Sequence, residues 1–131
     1  MKTKIQLGAR IVLGLIYFVF GGMGLAMALG LMKAPEQPMP EAAMAFMKGM
    51  EATGYLFPLL KFTETAFGLL LLIGLAAPLA LVVLAPITLN ILLFHIFTAP
   101  GNLVLPGVMV AAHIIAMSGY WGLYKPLFAR K

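Results

Sequence analysis

Apolar residues run through this chain in four stretches of about 20 positions each, and the polar residues collect in the gaps between them. The stretches cover about 10–32, 55–76, 78–98 and 103–124. As helices, runs of that length cross a hydrocarbon layer about 30 Å thick. Prolines punctuate the pattern: Pro58, Pro78 and Pro106 fall in the first turns of the second, third and fourth stretches, where a missing N–H is harmless. Pro86 lies inside the third, leaves the Val82 carbonyl without its helical donor and predicts a kink there. One short turn at Ala76 to Pro78 and another at Ala99-Pro100-Gly101-Asn102 make the last three stretches antiparallel neighbours. The predicted fold is all-α, a single domain over 1–131 forming a transmembrane four-helix up-down-up-down bundle.

The longest gap, Lys33 to Gly54, opens with Ala34-Pro35-Glu36-Gln37-Pro38-Met39-Pro40, which cannot be regular helix. Glu41 to Thr53 then reads as a short amphipathic helix between spans one and two, with Met44, Phe46 and Met47 free to lie on lipid or on the bundle top as an interfacial lid. The first apolar stretch, behind Lys2, Lys4 and Arg10, resembles a secretory signal, with a cleavage-like Ala26-Met27-Ala28. A signal core spans about 7 to 15 residues and this one is longer, so it is read as a retained first span.

Composition agrees with a membrane setting. The chain of 131 residues is 63% hydrophobic and 10% charged, with mean hydropathy +1.04, whereas a soluble domain has about a quarter of its residues charged. Lipid is therefore the first expected partner. There is no Cys, which removes disulfides, thiol relays and Cys-ligated metal from consideration. The net charge of +5 resides largely at the termini, in Lys2, Lys4, Arg10, Lys125, Arg130 and Lys131, against Lys33 and Lys48 in the connections on the other side. The positive-inside rule then places both termini in the cytoplasm. With no basic strip elsewhere, no nucleic-acid partner is expected.

Against this apolar background the polar residues stand out. Lys61 and Glu64 lie three residues apart within the second span, in a chain with only four carboxylates. Ionisable residues at such depth usually pair, face the protein interior and mark function. At about 1.5 Å per residue, Glu64 and Asn90 fall within about 5 Å of mid-membrane on the outer side, Lys61 and His95 about 10 Å out, and His113 near the midpoint of span four. The inner half holds little polar beyond Tyr17 and Thr88. Lys61, Glu64, Asn90, His95 and His113 are thus the candidate ligand-binding residues. Lys61 and Glu64 share a helix face and read as an ion pair, either structural or part of a site. Asn90 and His95 are about 140° apart on a straight helix, so only the Pro86 kink or a four-helix interior lets both face one partner. His113, alone on an apolar stretch, reads first as a hydrogen-bonded helix contact.

Weaker signals add little. Gly22, Ala26 and Gly30, and Gly107 with Ala111, form small-residue stripes suited to close packing or to a homo-oligomer. Met44, Met47 and Met50 have thioether spacing for Cu(I), but Met at helical spacing is ordinarily packing. His95 and His113 differ too much in depth to grip one haem iron. No metal site is assigned. There is no Ser/His/Asp pattern, no H-E-x-x-H and no phosphate loop, so no catalytic residue is assigned either.

Several motifs together resemble a known family. These are Arg10-Ile-Val-Leu-Gly-Leu-Ile-Tyr-Phe-Val-Phe-Gly21, Thr53-Gly54-Tyr55, Leu60-Lys61-Phe62-Thr63-Glu64-Thr65-Ala66-Phe67-Gly68 with its Leu run, Pro78-Leu79-Ala80, Ala85-Pro86-Ile87, and Asn90-Ile-Leu-Leu-Phe-His95. Over nearly the whole chain they look like the DoxX family of small bacterial four-helix membrane proteins. The Glu before Gly and a Leu run, and Asn-x-x-x-x-His, are the most specific parts. The neutral Ala76-Ala77-Pro78 turn departs from the basic residue often found there, so orientation rests on the termini. The resemblance implies a bacterial inner membrane location and a polar core of Lys61, Glu64, Asn90 and His95. It also implies a link to quinone-dependent or oxidative-stress redox systems, in which a chain with no electron carrier of its own needs a bound quinone or a partner redox protein. Two other readings stay open at this point: a small transporter or permeability factor gated by Glu64, and a non-catalytic scaffold for a partner enzyme.

Overall fold

A computed structural model describes residues 3–33, 39–101 and 103–129. The proline-rich stretch 34–38, Asn102 of the predicted turn, and the terminal Lys2, Arg130 and Lys131 lie outside the described residues. Among the described residues the secondary structure is helical throughout: α1 (Lys4–Ala28), α2 (Glu41–Ala52), α3 (Leu56–Ile73), α4 (Ala77–Thr98), α5 (Val104–Ser118) and α6 (Trp121–Tyr124), followed by a 3-10 turn, Lys125–Phe128. Helices α1, α3 and α4 are long and apolar enough to cross a membrane, and α5 with the segment after it makes a fourth if the bent pair is one span.

Local chemistry sets the helix ends. Thr3 caps α1, its hydroxyl oxygen accepting from the Gln6 N–H at 3.0 Å. That helix therefore starts before the apolar run does and stops at Ala28, short of the predicted residue 32. Gly30, at φ 78°, closes it: the Leu31 N–H reaches back to the Ala26 carbonyl at 2.8 Å in a Schellman turn. Gly74 ends α3 in the same way at φ 75°, three residues before the predicted end of span two at Ala76.

The fourth span departs most from expectation. Instead of one helix over 103–124, α5 ends at Ser118 and the chain turns by 74° into Trp121–Phe128. At 15 residues, α5 is roughly 22 Å long, short of a hydrocarbon core. The Gly119 and Tyr120 N–H groups bond to Ala116 and Met117 carbonyls at 3.1 and 2.9 Å, tightening the last turn, and Gly119 is a poor helix former. Tyr124 then anchors the bent segment by donating its hydroxyl to the Pro78 carbonyl at 2.6 Å.

Helix α1 packs along α3 and against α5, and α4 packs against α3 and α5. The core lies where they meet, on Leu13, Tyr17, Leu71, Leu81, Leu84 and Met109, all buried. Glycines set the α1–α3 seam. A Cβ on Gly14 would stand 2.8 Å from the Leu71 Cβ, one on Gly21 2.8 Å from the Glu64 Cβ, and one on Gly68 2.7 Å from the Phe18 backbone nitrogen. Of the predicted stripes, Gly30 and Gly107 have nothing within 4 Å and Ala111 is exposed, so close packing within the chain uses Gly14, Gly21 and Gly68 instead. Gln6 Nε2 donates to Ser118 Oγ at 3.0 Å, and Arg10 Nη1 to Tyr120 Oη at 3.5 Å, so the start of α1 and the end of α5 share one end of the bundle. Helix α2 packs on α3 and α4 away from that end.

Candidate functional site

At the α2 end of the bundle the helices enclose a cavity of about 360 Å³. Four of the five candidate residues line it: Lys61 and Glu64 from α3, Asn90 and His95 from α4. Asn90 and His95 reach one space because it extends along α4, with Ile91 and Phe94 in the wall between them. The predicted lid is present in α2, which lays Phe46, Met47 and Met50 over the cavity. The Phe46 ring stands 5.1 Å from that of Phe94. Met44 is exposed, so the methionine triplet does not converge. Among the described residues no group of His and Glu side chains is placed to hold a metal ion.

Glu64 is buried, 3% exposed, and its Oε2 lies 3.3 Å from Lys61 Nζ. Gly21 and Gly24 make room for this pair, since a Cβ at Gly24 would meet the Lys61 Cδ at 2.5 Å. The ammonium also lies 5.5 Å from the centre of the Phe57 ring, within reach of a cation–π contact. His95 donates its Nδ1–H to the Ile91 carbonyl at 2.8 Å, because a carbonyl can only accept. In the neutral ring this fixes Nε2 as a lone-pair acceptor.

His113 stands apart from the cavity. Buried between α4 and α5, its Nε2 donates to the Leu81 carbonyl and its Nδ1 pairs with Thr88 Oγ1, both at 2.8 Å. Thr88 in turn bonds Tyr17 Oη. The carbonyl end decides every direction: with Nε2–H donating, Nδ1 of the neutral ring accepts from the Thr88 hydroxyl, and Thr88 accepts from Tyr17. Each group in the chain is satisfied and its far end is a backbone carbonyl. The chain joins α1, α4 and α5, and Tyr17 is also part of the cavity wall. Sequence reading noted Tyr17 and Thr88 only as isolated polar residues; depth along separate helices gave no sign that they meet.

Comparison with family models, with curated proteins and with solved structures returns no match. The likeness to the DoxX family thus stands on the quoted motifs alone.

Proposed function

We propose that this chain is a multi-pass membrane protein, folded up-down-up-down with both termini cytoplasmic, that holds a small amphipathic molecule in the cavity beneath α2. A quinone-type head group in a bacterial inner membrane is the ligand class favoured by the DoxX resemblance, with a partner protein completing the redox system. The observation that carries the reading is the convergence of Lys61, Glu64, Asn90 and His95 on one cavity otherwise lined by apolar side chains. A mostly apolar pocket with a few convergent polar groups is the usual form of a small-molecule site, and about 360 Å³ lies within the usual range. The polar groups fit a ring with oxygen substituents, while Ile16, Phe20, Leu105 and Met109 fit its apolar body.

In this reading Glu64 and His95 contact the head group, Lys61 tunes Glu64 and Asn90 orients the ring. Phe20, Pro86 and Asn90 line the cavity and are also exposed, giving a route from the surrounding lipid. Titrating purified protein with a short-chain quinone and its reduced form tests the proposal. Saturable binding that changes in Glu64→Gln is expected. If neither form saturates, or if the substitution leaves binding unchanged, the proposal fails; substrate flux in proteoliposomes would point instead to a transporter.

A further inference from the structure

We infer that the cavity selects a head group that donates a hydrogen bond, a phenol or hydroquinone in preference to a quinone whose oxygens only accept. The inference rests on the cavity reading above and comes from the donors and acceptors left over once internal bonds are assigned. Glu64 gives Oε2 to Lys61, and Oε1 makes no hydrogen bond among the described residues. His95 commits Nδ1–H to the Ile91 carbonyl, leaving the Nε2 lone pair unused. Neither atom is sealed in protein: the one buried side-chain polar atom without a partner among the described residues is Arg10 Nε. Both side chains line the cavity, so a molecule held there is the available partner for their unused acceptors.

A carbonyl brought against these two atoms sets acceptor against acceptor and leaves both without a donor. A hydroxyl satisfies either one, and its oxygen still accepts from the Asn90 amide or a remaining Lys61 N–H. Sites built to bond a substrate hydroxyl reject analogues that lack it far more strongly than apolar pockets reject a missing methylene. The tyrosine of the wall does not alter the balance, because its hydroxyl proton is already committed to Thr88.

The test compares three probes on the full-length protein in detergent, without oxygen: a decyl-substituted benzohydroquinone, its dimethyl ether and the matching benzoquinone, by equilibrium dialysis. The hydroquinone is expected to bind about ten- to a hundredfold more tightly than either of the others, as the cost of leaving a buried acceptor without a donor would give. Glu64→Gln, whose amide donates as well as accepts, should narrow that gap and strengthen quinone binding. His95→Phe, which keeps the ring volume, should weaken the hydroquinone and leave the ether unchanged. Equal affinities for hydroquinone and ether, or a tighter quinone, overturn the donor inference while the cavity reading survives. Failure of all three probes to saturate overturns both.

Discussion

Gly21 and Gly22 are neighbours in sequence, yet replacing each by alanine should have opposite consequences. A Cβ at Gly21 would stand 2.8 Å from both the Glu64 Cβ and the Thr65 backbone nitrogen, whereas at Gly22 the nearest atom is the Thr65 Cγ2 at 4.0 Å. Ordinary carbon contacts lie at about 3.5 to 4 Å, so Gly21→Ala must push α1 from α3 by roughly 1 Å. The atoms it meets are a Cβ and a backbone nitrogen, which cannot rotate away. Overpacking of this kind costs about 1 to 3 kcal/mol. Both substitutions gain the same helix propensity, about 1 kcal/mol, so the difference between them isolates the clash. Gly22→Ala is expected to be neutral to slightly stabilising, and Gly21→Ala about 1 to 3 kcal/mol worse than Gly22→Ala. In thermal unfolding of detergent-solubilised protein followed by circular dichroism, that gap corresponds to about 3 to 10 °C in Tm for a chain of this size. Gly107→Ala, with nothing within 4 Å, is the control on α5. Indistinguishable Tm values for the Gly21 and Gly22 variants would refute the glycine seam and return the packing face to the Gly22, Ala26 and Gly30 stripe.

Three further outcomes follow from the bonding. Thr88→Val strands the Tyr17 hydroxyl and His113 Nδ1 together and should cost about 2 to 4 kcal/mol, whereas Tyr17→Phe leaves the Thr88 to His113 bond intact and should cost about 1; denaturant midpoints that reverse this order contradict the assigned direction of the chain. Lys61→Met leaves Glu64 buried without its cation and should cost about 3 kcal/mol, at the low end for a broken buried pair because Lys61 is 21% exposed. The double variant Lys61→Met/Glu64→Leu should recover most of that loss in the same unfolding assay. Ala76→Gly should raise stability by about 0.5 to 1 kcal/mol, since Ala76 holds φ 51° ahead of α4 and glycine relieves left-handed strain at some entropic cost.

The helices and the membrane setting were legible because both depend on local composition: run length, proline position and the amphipathic pattern after Pro40. The polar residues of the cavity wall were legible for a related reason, as a charged or amide side chain in an apolar run needs a partner or a cavity wherever the helix lies. Packing faces were not. Nothing in the local pattern separates Gly21 from Gly22, and the choice is made by the rotation of α1 against α3. The break at Gly119 was hidden for a different reason: Trp121, Leu123 and Tyr124 continue the apolar run, and only the tight turn at Ala116 and Met117 with the Tyr124 anchor on Pro78 shows that the run outlasts the helix.

The two polar groups of the bundle differ in what they leave undone. In the Tyr17–Thr88–His113 chain every proton is assigned, and its last bond ends on a carbonyl with no proton to pass on. Such a chain fixes three helices relative to one another but offers nothing to a ligand and gives a proton no exit. Beside it, the Lys61, Glu64, Asn90 and His95 group carries unused bonding capacity into a cavity. An acceptor left open at membrane depth is costly unless something fills it. Rigid support and open valence are the two requirements of a binding site, and here they fall on adjacent sets of residues that share Tyr17 as a common wall. By this division His113 holds the frame and His95 lines the cavity where the proposed ligand would sit, although in sequence each is a single histidine on an apolar helix.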